Sequence, residues 1–470
     1  MQSSISVKEK SENPKQAEKK ISVFGLGKVG LTLVSCLSNG GNQVIGVDVS
    51  TDLVSSINDR TIDSSEPGVM LRFKQSLDKI FATTDIFEAV ENSDLSFIIV
   101  PTPSNIFGGF SLRFVLEACE SIGKAIKEKK GSHVVSLVST VLPGSSDHLI
   151  IPELEKASGR KMGDGIGYCY NPSFIALGEI VKGMELPDYI LIGESDEKSG
   201  EIVLEAHQSM IINDVPIARM SPIEAEITKL ASNTHETMRV SFANMLMATC
   251  EETPGTDVDR ITGALSHRMG KRFFRGAIPF GGPCWPRDNK ALSVFLEALG
   301  VPSCMPRNVD IFNEEHGLYI LRKVIEYASK TDQIGIVGLA YKSGTHVIEC
   351  SYAIHLIRGL LEESCDLIVW DPLAMGEVER IMGDQVVYAN SGDSCLEEAS
   401  TIVITQPLRE LDNFEWAKCS HKTVIDCWRC LSPSQIEKIG HYIPLGKSEN
   451  TQKENWFADY KKNKLDLFTQ

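Results

Sequence analysis

The chain has 470 residues, of which 42% are hydrophobic and 23% are charged, a composition typical of globular proteins. A chain of this length exceeds one ordinary core, so we expect two or three domains. The net charge of −16 argues against non-specific binding to nucleic acid, which requires a basic surface. The sequence contains no run of eighteen apolar residues, so no membrane span is predicted.

The first residues, MQSSISVKEKSENPKQAEKK, have no apolar centre. They do not resemble a secretory signal, and we expect a disordered extension over residues 1–19. Most of the twelve cysteines are therefore expected to be reduced, in a cytoplasmic protein. One close pair, Cys427 and Cys430 in CWRC, has redox-motif spacing, but no second pair completes a zinc site, and no metal is expected.

A strand, a glycine turn, a helix and a second strand are predicted over residues 20–48, KISVFGLGKVGLTLVSCLSNGGNQVIGVD. Gly25, Gly27 and Gly30 form a GxGxxG pattern, which lets the backbone approach a pyrophosphate at a helix N-terminus. Asp48 ends the second strand, where a carboxylate accepts ribose hydroxyls and repels a 2′-phosphate. The pattern predicts NAD as the cofactor; a structural glycine turn is the alternative.

Further strands are predicted at 95–100, 133–139 and 189–193, alternating with helical stretches. This alternation indicates a mostly parallel, doubly wound sheet, in an NAD-binding domain over 20–215.

From residue 221 to 252 the apolar residues recur at helical spacing without a breaker. A helix this long predicts a central helical domain over 216–325 that forms a dimer or a higher homo-oligomer. Lys229 and Asn233 share one face of this helix. They are either surface groups or an inward-facing polar pair able to hold an alkoxide or a water.

The string FGGPCWPRD covers residues 280–288. Pro286 suits the first turn of a helix, which places Cys284 at a helix N-terminus, where the thiolate nucleophile is favoured. Asp288 follows four residues later, within reach if the turn is helical. A small buried cysteine in a glycine turn is the alternative.

Basic residues precede this loop, at Arg268, Lys271, Arg272 and Arg275. In so acidic a chain they form either a diphosphate pocket, to which Lys342 could add, or a solvated basic face. A second α/β domain is predicted over 326–445, from IGIVGLAYK, DLIVWDP, STIVITQ and KTVIDCW. A weakly ordered polar tail is expected over 446–470.

Taken together, the motifs resemble the UDP-glucose/GDP-mannose dehydrogenase family from about Lys20 to Leu431. Besides GLGKVG and FGGPCWPRD, the ordered matches are VPTPS (100–104), STVLPG (139–144), NPSF (171–174), PDYILIG (187–193), EAEITKLASN (224–233), GLAYKSGT (338–345) and VWDP (369–372).

The resemblance implies two doubly wound Rossmann-like domains joined by a long central helix used for dimerisation. It implies oxidation of a sugar hydroxymethyl to a carboxylate by two NAD, on a nucleotide-diphosphate sugar such as a UDP-sugar, as in polysaccharide biosynthesis. The implied cofactor contacts are Gly25, Gly27, Val29, Gly30, Asp48, Thr102 and Thr140. The implied catalytic residues are Lys229, Asn233, Cys284 and Asp288. The implied substrate contacts are Phe174, Arg268, Arg275, Gly281, Lys342 and Arg429, with Arg268 reaching across a dimer.

The sequence departs from the family around the sugar pocket. Ser173 stands where the family has the glutamate expected to activate water for thioester hydrolysis. The loss of this glutamate either leaves Asp288 or Glu179 as substitutes or slows the hydrolysis. Leu177 replaces a second glutamate, and Glu349 replaces an arginine. Two alternatives therefore stay open. One is a two-electron hydroxyacid dehydrogenase, which would not need Cys284, and the other is a family member that binds its ligands without full turnover.

Overall fold

The computed structural model describes residues 18–328 and 333–448. The predicted N-terminal extension, apart from its last two residues, and the polar tail beyond residue 448 lie outside these ranges. The chain forms two compact units, Met1–Lys229 and Leu230–Gln470. No helix among the described residues has the length and apolar character needed to cross a membrane.

The first unit is built on one sheet, as the alternating strands and helices predict. Its described strands are β1 (Lys20–Phe24), β2 (Gln43–Val47), β3 (Ile80–Thr83), β4 (Leu95–Ile98), β5 (His133–Leu137), β6 (Lys161–Met162), β7 (Gly165–Tyr170), β8 (Ile190–Glu194) and β9 (Ile217–Met220). Their order is β3-β2-β1-β4-β5-β7-β8-β9, with β6 beside β7. Neighbouring strands are parallel except β7 and β8, which pair antiparallel. The first five positions follow the doubly wound order of dinucleotide-binding sheets.

Helices cover the sheet of the first unit. They are α1 (Lys28–Asn39), α2 (Thr51–Asn58), α3 (Val69–Gln75), α4 (Ile86–Glu91), α5 (Arg113–Glu128), α6 (Ile151–Ser158), α7 (Ile180–Glu185) and α8 (Glu197–Met210). Two separate hydrophobic clusters result, one containing residues of α1 and α8 and the other residues of α5 and α6. Because helices take up apolar surface from the sheet in both clusters, its strands read as continuous apolar runs.

The long helix predicted at residues 221–252 is α9 (Pro222–Glu252). Its start is stabilised by Ser221, whose backbone N–H and hydroxyl both donate to Oε2 of Glu224, at 2.9 and 2.6 Å. The boundary between the two units falls within this helix, after Lys229.

The second unit holds the predicted second α/β sheet. Its described strands are β10 (Ile334–Val337), β11 (Leu367–Trp370), β12 (Val387–Tyr388), β13 (Thr401–Ile404), β14 (Thr423–Asp426) and β15 (His441–Pro444). All neighbours are parallel, in the order β12-β11-β10-β13-β14-β15. This is the strand order of a complete dinucleotide-binding fold.

The helices of the second unit are α10 (Val258–Met269), α11 (Trp285–Ala298), α12 (Cys304–Tyr327), α13 (Tyr352–Glu362), α14 (Met375–Met382), α15 (Gly392–Glu398) and α16 (Pro433–Ile436). Met247 of α9 and Ile320 of α12 share one hydrophobic cluster with Ile336 and Val369 of the sheet. The division of this region into a helical domain and a C-terminal domain near residue 325 stays a prediction.

Candidate active site

The glycine turn between β1 and α1 has the shape that the pattern predicts. Gly25 has φ +92°, and an added Cβ would lie 2.3 Å from the carbonyl oxygen of Ile99. A Cβ on Gly30 would lie 1.8 Å from the carbonyl oxygen of Gly25, so only glycine allows the helix this close to the turn. At Gly27, which caps α1, an added Cβ would meet no atom within 4 Å. The N-terminus of α1 is therefore open to an anion, as a pyrophosphate requires.

Asp48 follows β2 directly and is half-buried. Its Oδ2 accepts a hydrogen bond from the backbone N–H of Leu26 at 2.7 Å, and its Oδ1 accepts one from Ser50 at 3.0 Å. Each oxygen uses one acceptor position in this way, and a carboxylate has about four. The geometry suits a carboxylate that both orders the glycine turn and accepts ribose hydroxyls.

The other predicted cofactor contacts surround the same turn. Thr102 and Thr140 follow β4 and β5, and the hydroxyl of Thr102 donates to the carbonyl oxygen of Thr140 at 2.8 Å. Val29, in the first turn of α1, is partly buried against the hydrophobic core. The residues fit a dinucleotide, and their individual contacts with it stay predictions.

Lys229 is an inward-facing group: it is 7% exposed. Its Nζ donates to the carbonyl oxygen of Ser173 at 2.9 Å and lies 4.5 Å from the centre of the Phe174 ring. Phe174 in turn packs against Tyr189, with ring centres 4.8 Å apart. The cation is thus held by the NPSF loop, through a carbonyl dipole and an aromatic face.

Three side chains hold that loop in place: the buried Asn171 and Glu66, and the partly buried His207. Nε2 of His207 lies 2.6 Å from Oδ1 of Asn171, whose amide donates to Leu191 at 2.8 Å. Burial lowers the pKa of His207 to about 4, so its neutral ring donates from Nε2 at neutral pH. Glu66 accepts from the backbone N–H groups of Gly178 and Ile180, at 2.8 and 2.7 Å.

Glu226 lies in the motif EAEITKLASN but is not among the predicted site residues. It is fully buried on α9, one turn before Lys229. Its oxygens accept from the backbone N–H groups of Gly144 and Ser146, at 2.6 and 2.8 Å, and from the Ser146 hydroxyl. Burial raises the pKa of Glu226, and these hydrogen bonds oppose the rise. Glu226 therefore ties the loop that carries Thr140 to the helix that carries Lys229. Its place in EAEITK, three residues before the lysine, was the available signal.

In the second unit, Cys284 is exposed and caps α11, as the sequence predicts. The backbone N–H of Asp288 donates to the Cys284 carbonyl at 2.9 Å, so the turn is helical. The Asp288 side chain is fully buried. Its Oδ2 accepts from Nδ2 of Asn233 at 2.6 Å, and its Oδ1 accepts from Nε of Arg287 at 3.2 Å. The structure thus brings Asn233 and Asp288 together, and burial selects the inward-facing alternative for Asn233.

The glycines before Cys284 let two loops meet. A Cβ on Gly281 would lie 2.0 Å from the carbonyl oxygen of Cys350, and the N–H of Gly282 donates to the carbonyl of Glu349 at 3.1 Å. Glu349, which replaces the family's arginine, therefore lies on the loop beside the cysteine turn.

An aromatic contact connects the cysteine turn to the basic segment. Trp285 lies edge-on to Phe273 and Phe280, with ring centres 5.1 and 6.1 Å away. The basic residues near Phe273, namely Arg268, Lys271, Arg272 and Arg275, are exposed.

The remaining predicted substrate contacts differ in their surroundings. Arg275 donates to the backbone carbonyls of Trp428 and Arg429. The buried guanidinium of Arg429 pairs with both oxygens of Asp259, at 3.0 and 3.1 Å, and donates to the carbonyls of Cys427, Leu445 and Gly276. Lys342 is partly exposed on the loop after β10. Substrate binding by these groups stays a prediction.

The CWRC pair follows β14. Cys427 and Cys430 are free thiols, and burial raises the pKa of both. The sulfur of Cys430 lies 3.5 Å from Oδ1 of Asp426. Among the described residues there is no cluster of three His, Cys, Asp or Glu side chains that could hold a metal ion.

A doubly wound sheet with an open glycine turn and a carboxylate after β2 defines a dinucleotide-binding protein, and the carboxylate favours NAD. Three family models match the chain: the NAD binding domain of the UDP-glucose/GDP-mannose dehydrogenase family at residues 19–211, its central domain at 223–315, and its UDP binding domain at 335–433.

Individual proteins show the same relationship. The UDP-glucose 6-dehydrogenase AglM of Haloferax volcanii is 31% identical over 82% of this chain and 90% of its own length. The GDP-mannose 6-dehydrogenase of Pseudomonas aeruginosa is 32% identical over 79% of this chain and 85% of its own. The structure of a UDP-glucose dehydrogenase from Pyrobaculum islandicum superposes with a TM-score of 0.83 at 27% identity, covering 93% of this chain and 99% of that one.

The chain therefore belongs to the UDP-glucose/GDP-mannose dehydrogenase family, and it is an NAD-dependent nucleotide-sugar dehydrogenase. This assignment replaces the hydroxyacid dehydrogenase considered from the sequence, because matches extend through the C-terminal domain that such an enzyme would not need.

Proposed function

We propose that this chain oxidises the hydroxymethyl group of a UDP-sugar to a carboxylate, through a thioester on Cys284. The observation that carries the proposal is the exposed Cys284 thiol at the N-terminus of α11, one turn before the buried, hydrogen-bonded Asp288. An oxidation from alcohol to acid removes four electrons, so each sugar consumes two NAD.

In the first oxidation the alcohol loses its hydroxyl proton and a hydride to become an aldehyde. NAD supplies the hydride acceptor for each oxidation when it is bound. The ammonium of Lys229 stabilises the developing alkoxide, since a preorganised positive charge lowers the energy of an oxyanion. Asp288 orients a water that takes part in the same stabilisation, because a carboxylate oxygen has acceptor capacity beyond the hydrogen bond from Asn233 or from Arg287.

In the second oxidation a nucleophile must first add to the aldehyde, because the carbonyl carbon cannot give up a hydride until it is tetrahedral. The Cys284 thiolate adds to that carbon, and the oxygen takes a proton, giving a thiohemiacetal. The position at a helix N-terminus favours the thiolate. Loss of a hydride and a proton leaves a thioester, which water cleaves to the acid and the free thiol.

The hydrolysis step needs a base, and Ser173 stands where the family has a glutamate. The Glu179 side chain is 49% exposed and pairs with Lys182 at 3.2 Å. Asp288 is fully buried and accepts a hydrogen bond from Asn233. It follows Cys284, which carries the thioester, by four positions in the sequence. We infer that Asp288 activates the water. Cys284 caps α11 and Asp288 lies in its first turn, so the helix fixes the position of one relative to the other.

The nucleotide is proposed to be uridine diphosphate, since the matching C-terminal model is a UDP binding domain. The substrate contacts proposed for it are Phe174, Arg268, Arg275, Gly281 and Lys342. The guanidinium of Arg429 already donates to Asp259 and to three backbone carbonyls. We therefore propose that Arg429 acts indirectly, by holding the loop whose carbonyls accept from Arg275.

A panel of UDP-glucose, UDP-N-acetylmannosamine and GDP-mannose tests the proposal. Two NADH per acid formed from a UDP-sugar is the expected result. One NADH per sugar would contradict the thioester route, and turnover of GDP-mannose alone would contradict the nucleotide. Binding of NAD and UDP-sugar without NADH would identify a member that lacks full turnover.

The dimer is proposed to form through α9. The helix exposes Ala231, His235, Phe242, Met245 and Thr249, and Phe242 and Met245 retain 41% and 40% of their surface. Successive positions in this set are separated by four, seven, three and four residues. This spacing places them along one face of the helix, as in helices that associate. Arg268 is proposed to reach the substrate of the partner subunit.

We further propose that the enzyme works in the cytoplasm and supplies a sugar acid for polysaccharide biosynthesis. All twelve cysteines are free thiols, which agrees with a reducing compartment. Detection of the protein in a membrane-free cytoplasmic fraction is the expected result, and recovery outside the cell would contradict it.

A further inference from the structure

A buried polar network continues from the catalytic pair into α12. Asn233 and Thr234 are neighbours on α9, and Asp288 and Asn289 are neighbours on α11. The first pair is bonded through Asn233 and Asp288 at 2.6 Å, and the second through the Thr234 hydroxyl, which donates to Oδ1 of Asn289 at 2.8 Å. Two adjacent hydrogen bonds therefore clamp the same turn of α9 to the first turn of α11.

Asn289 connects this clamp to Asp310 of α12. Its Nδ2 donates to Oδ1 of Asp310 at 2.8 Å. Its amide also contacts the hydroxyl of Thr237, which lies 3.2 Å from its Oδ1 and 3.0 Å from its Nδ2. Asn289 is fully buried, and Thr237 is as well.

The carboxylate decides which way the Asn289 amide points. Thr234 and Thr237 carry hydroxyls, which both donate and accept, so they fit either orientation of the amide. An ionised carboxylate only accepts, so the NH₂ group must face Asp310 and the carbonyl oxygen must face Thr234. A neutral acid or an amide at position 310 would fit both orientations.

We propose that Asp310 is a positioning residue for the Asp288 carboxylate and the first turn of α11, acting through the orientation of Asn289. This inference rests on the proposed function, in which Asp288 orients and activates water. A displacement of about 1 Å in a reacting geometry costs on the order of 10²-fold in rate, so a clamp that holds one arrangement contributes directly to turnover.

The surroundings of Asp310 make its charge dependent on pH. Burial raises the pKa of Asp310 to about 6, against the lowering effect of the Asn289 hydrogen bond, and repulsion by Glu314 on the same helix adds to the rise. The side chains of α11 and α9 in the network, Asn289, Thr234 and Thr237, are neutral. On α13, His355 interacts electrostatically with Glu314, and Arg358 interacts with His355.

The folded pKa of Asp310 is raised above its usual value, so the neutral form is favoured in the folded state. Stability contributed by this group is therefore lost as pH rises through the folded pKa. If the Asp310 carboxylate serves turnover at the expense of stability, its removal should affect stability and kcat in opposite directions. Asp310→Asn removes the partly buried charge and is expected to hold or raise the melting temperature near pH 8, while it lowers kcat.

The test compares Asp310→Asn, Asp310→Glu and the unmodified enzyme with NAD and the UDP-sugar that it oxidises. Asp310 becomes neutral below its pKa of about 6, so kcat of the unmodified enzyme should decline below that pH. In Asp310→Asn this decline should disappear, and kcat near pH 8 should fall by up to about 10²-fold with KM for NAD within about twofold. Asp310→Glu, which keeps an all-acceptor group, should recover part of the rate. Thr262→Val, which removes a buried hydrogen bond of α10, is the control for lost stability alone.

Hydrogen exchange of the peptide covering residues 284–290 provides a readout that needs no substrate. Its amides should exchange faster in Asp310→Asn than in the unmodified protein and in Thr262→Val. An unchanged kcat and pH profile, or an unchanged exchange rate, would overturn the proposal. If the unmodified protein makes no NADH, the proposed function fails, and the exchange comparison alone still decides the role of Asp310.

Discussion

Nδ2 of Asn233 lies 2.6 Å from Oδ2 of Asp288, and both side chains are buried. Because a carboxylate only accepts, the amide of Asn233 must present its NH₂ group there. Its carbonyl oxygen then points elsewhere, and the other Asp288 oxygen faces Arg287 at 3.2 Å. The amide of Asn233 therefore fixes the direction of the Asp288 carboxylate.

Asn233→Asp should cost about 10²-fold in kcat, because two carboxylates at hydrogen-bond distance must share a proton. The shared proton removes the acceptor capacity that a water needs. The measurement is kcat with saturating NAD and UDP-sugar, with KM for NAD as the internal check. Asn308→Asp, at an exposed position of α12, introduces the same charge elsewhere; a kcat of Asn233→Asp equal to that control would refute this role.

We expect the preference for NAD to depend on Asp48. A carboxylate after the second strand is predicted to repel a 2′-phosphate, so kcat/KM should favour NAD over NADP by about tenfold or more, equivalent to ~1.4 kcal/mol per decade. Asp48→Asn should reduce this ratio, since the amide oxygen still accepts from Leu26 but the negative charge is gone. Equal efficiencies with both cofactors in the unmodified enzyme would count against this interpretation of Asp48.

The second unit offers a matched control for that experiment. Gly338 has φ +98°, and Oδ2 of Asp371 accepts from the N–H of Leu339 at 2.7 Å, which repeats the turn around Asp48. Asp371, however, is 3% exposed and its Oδ1 also accepts two N–H groups. Asp371→Asn should therefore leave the NAD to NADP ratio unchanged.

The repeated turn also shows why much of the fold was predictable. Both domains begin with an apolar strand, a glycine that needs positive φ, and an aspartate after the second strand, and these residues are local in sequence. The strands that were not predicted are short or irregular, such as β12 (Val387–Tyr388) and β15 (His441–Pro444). The first of these has only two residues and the second begins with histidine and ends with proline, so neither shows the continuous apolar run that made β10 and β13 predictable.

Site residues were predictable where their role depends on local backbone geometry, and less so where it depends on packing against distant residues. The turn of Gly25 and the helix start at Cys284 depend on backbone geometry, which the neighbouring residues reveal. Whether Lys229 points inward depends on what covers α9, and helical spacing alone does not decide it. The polar network around Asn289 joins residues far apart in the chain, so no local pattern announces it.

Assembly through α9 predicts a dimer at micromolar concentration. Phe242→Glu with Met245→Glu should produce monomers, because two like charges would be buried against their copies. Sedimentation velocity measures the result, with Leu318→Glu, at an exposed site on α12, as the control. An unmodified chain that sediments only as a monomer would defeat the proposal.

His207 predicts acid sensitivity in the first unit. Burial lowers the pKa of His207 from 6.5 to about 4. Between these pH values His207 is therefore protonated in the unfolded chain and neutral in the folded chain. Stability present above pH 6.5 should be lost on acidification, at up to ~1.4 kcal/mol per pH unit.

His207→Gln, which still donates to Asn171 but does not titrate, should show less of this loss in urea unfolding between pH 7 and 5. His148→Gln, at an exposed position, should behave like the unmodified protein. If all three lose stability equally, His207 is not the group responsible.

The thioester on Cys284 and the missing glutamate at Ser173 affect the same hydrolysis step. If Cys284 is the nucleophile, Cys284→Ala should make no acid and still bind NAD. With Ser173 in place of a glutamate, hydrolysis is expected to limit the rate, so the thioester should accumulate after rapid mixing with NAD and UDP-sugar. Intact-protein mass spectrometry measures the adduct, and peptide analysis places it on Cys284.

Ser173→Glu then restores the family's base beside Lys229, whose Nζ is 2.9 Å from the Ser173 carbonyl. General-base catalysis contributes about 10²–10⁴-fold, so the variant should hydrolyse faster and show less adduct. Glu179→Gln should leave the adduct level unchanged, because that side chain lies at the surface in a pair with Lys182. Rapid turnover of the unmodified enzyme without an adduct would mean that Asp288 already activates water efficiently. Two NADH per sugar from Cys284→Ala at an undiminished rate would show that the thioester mechanism is wrong.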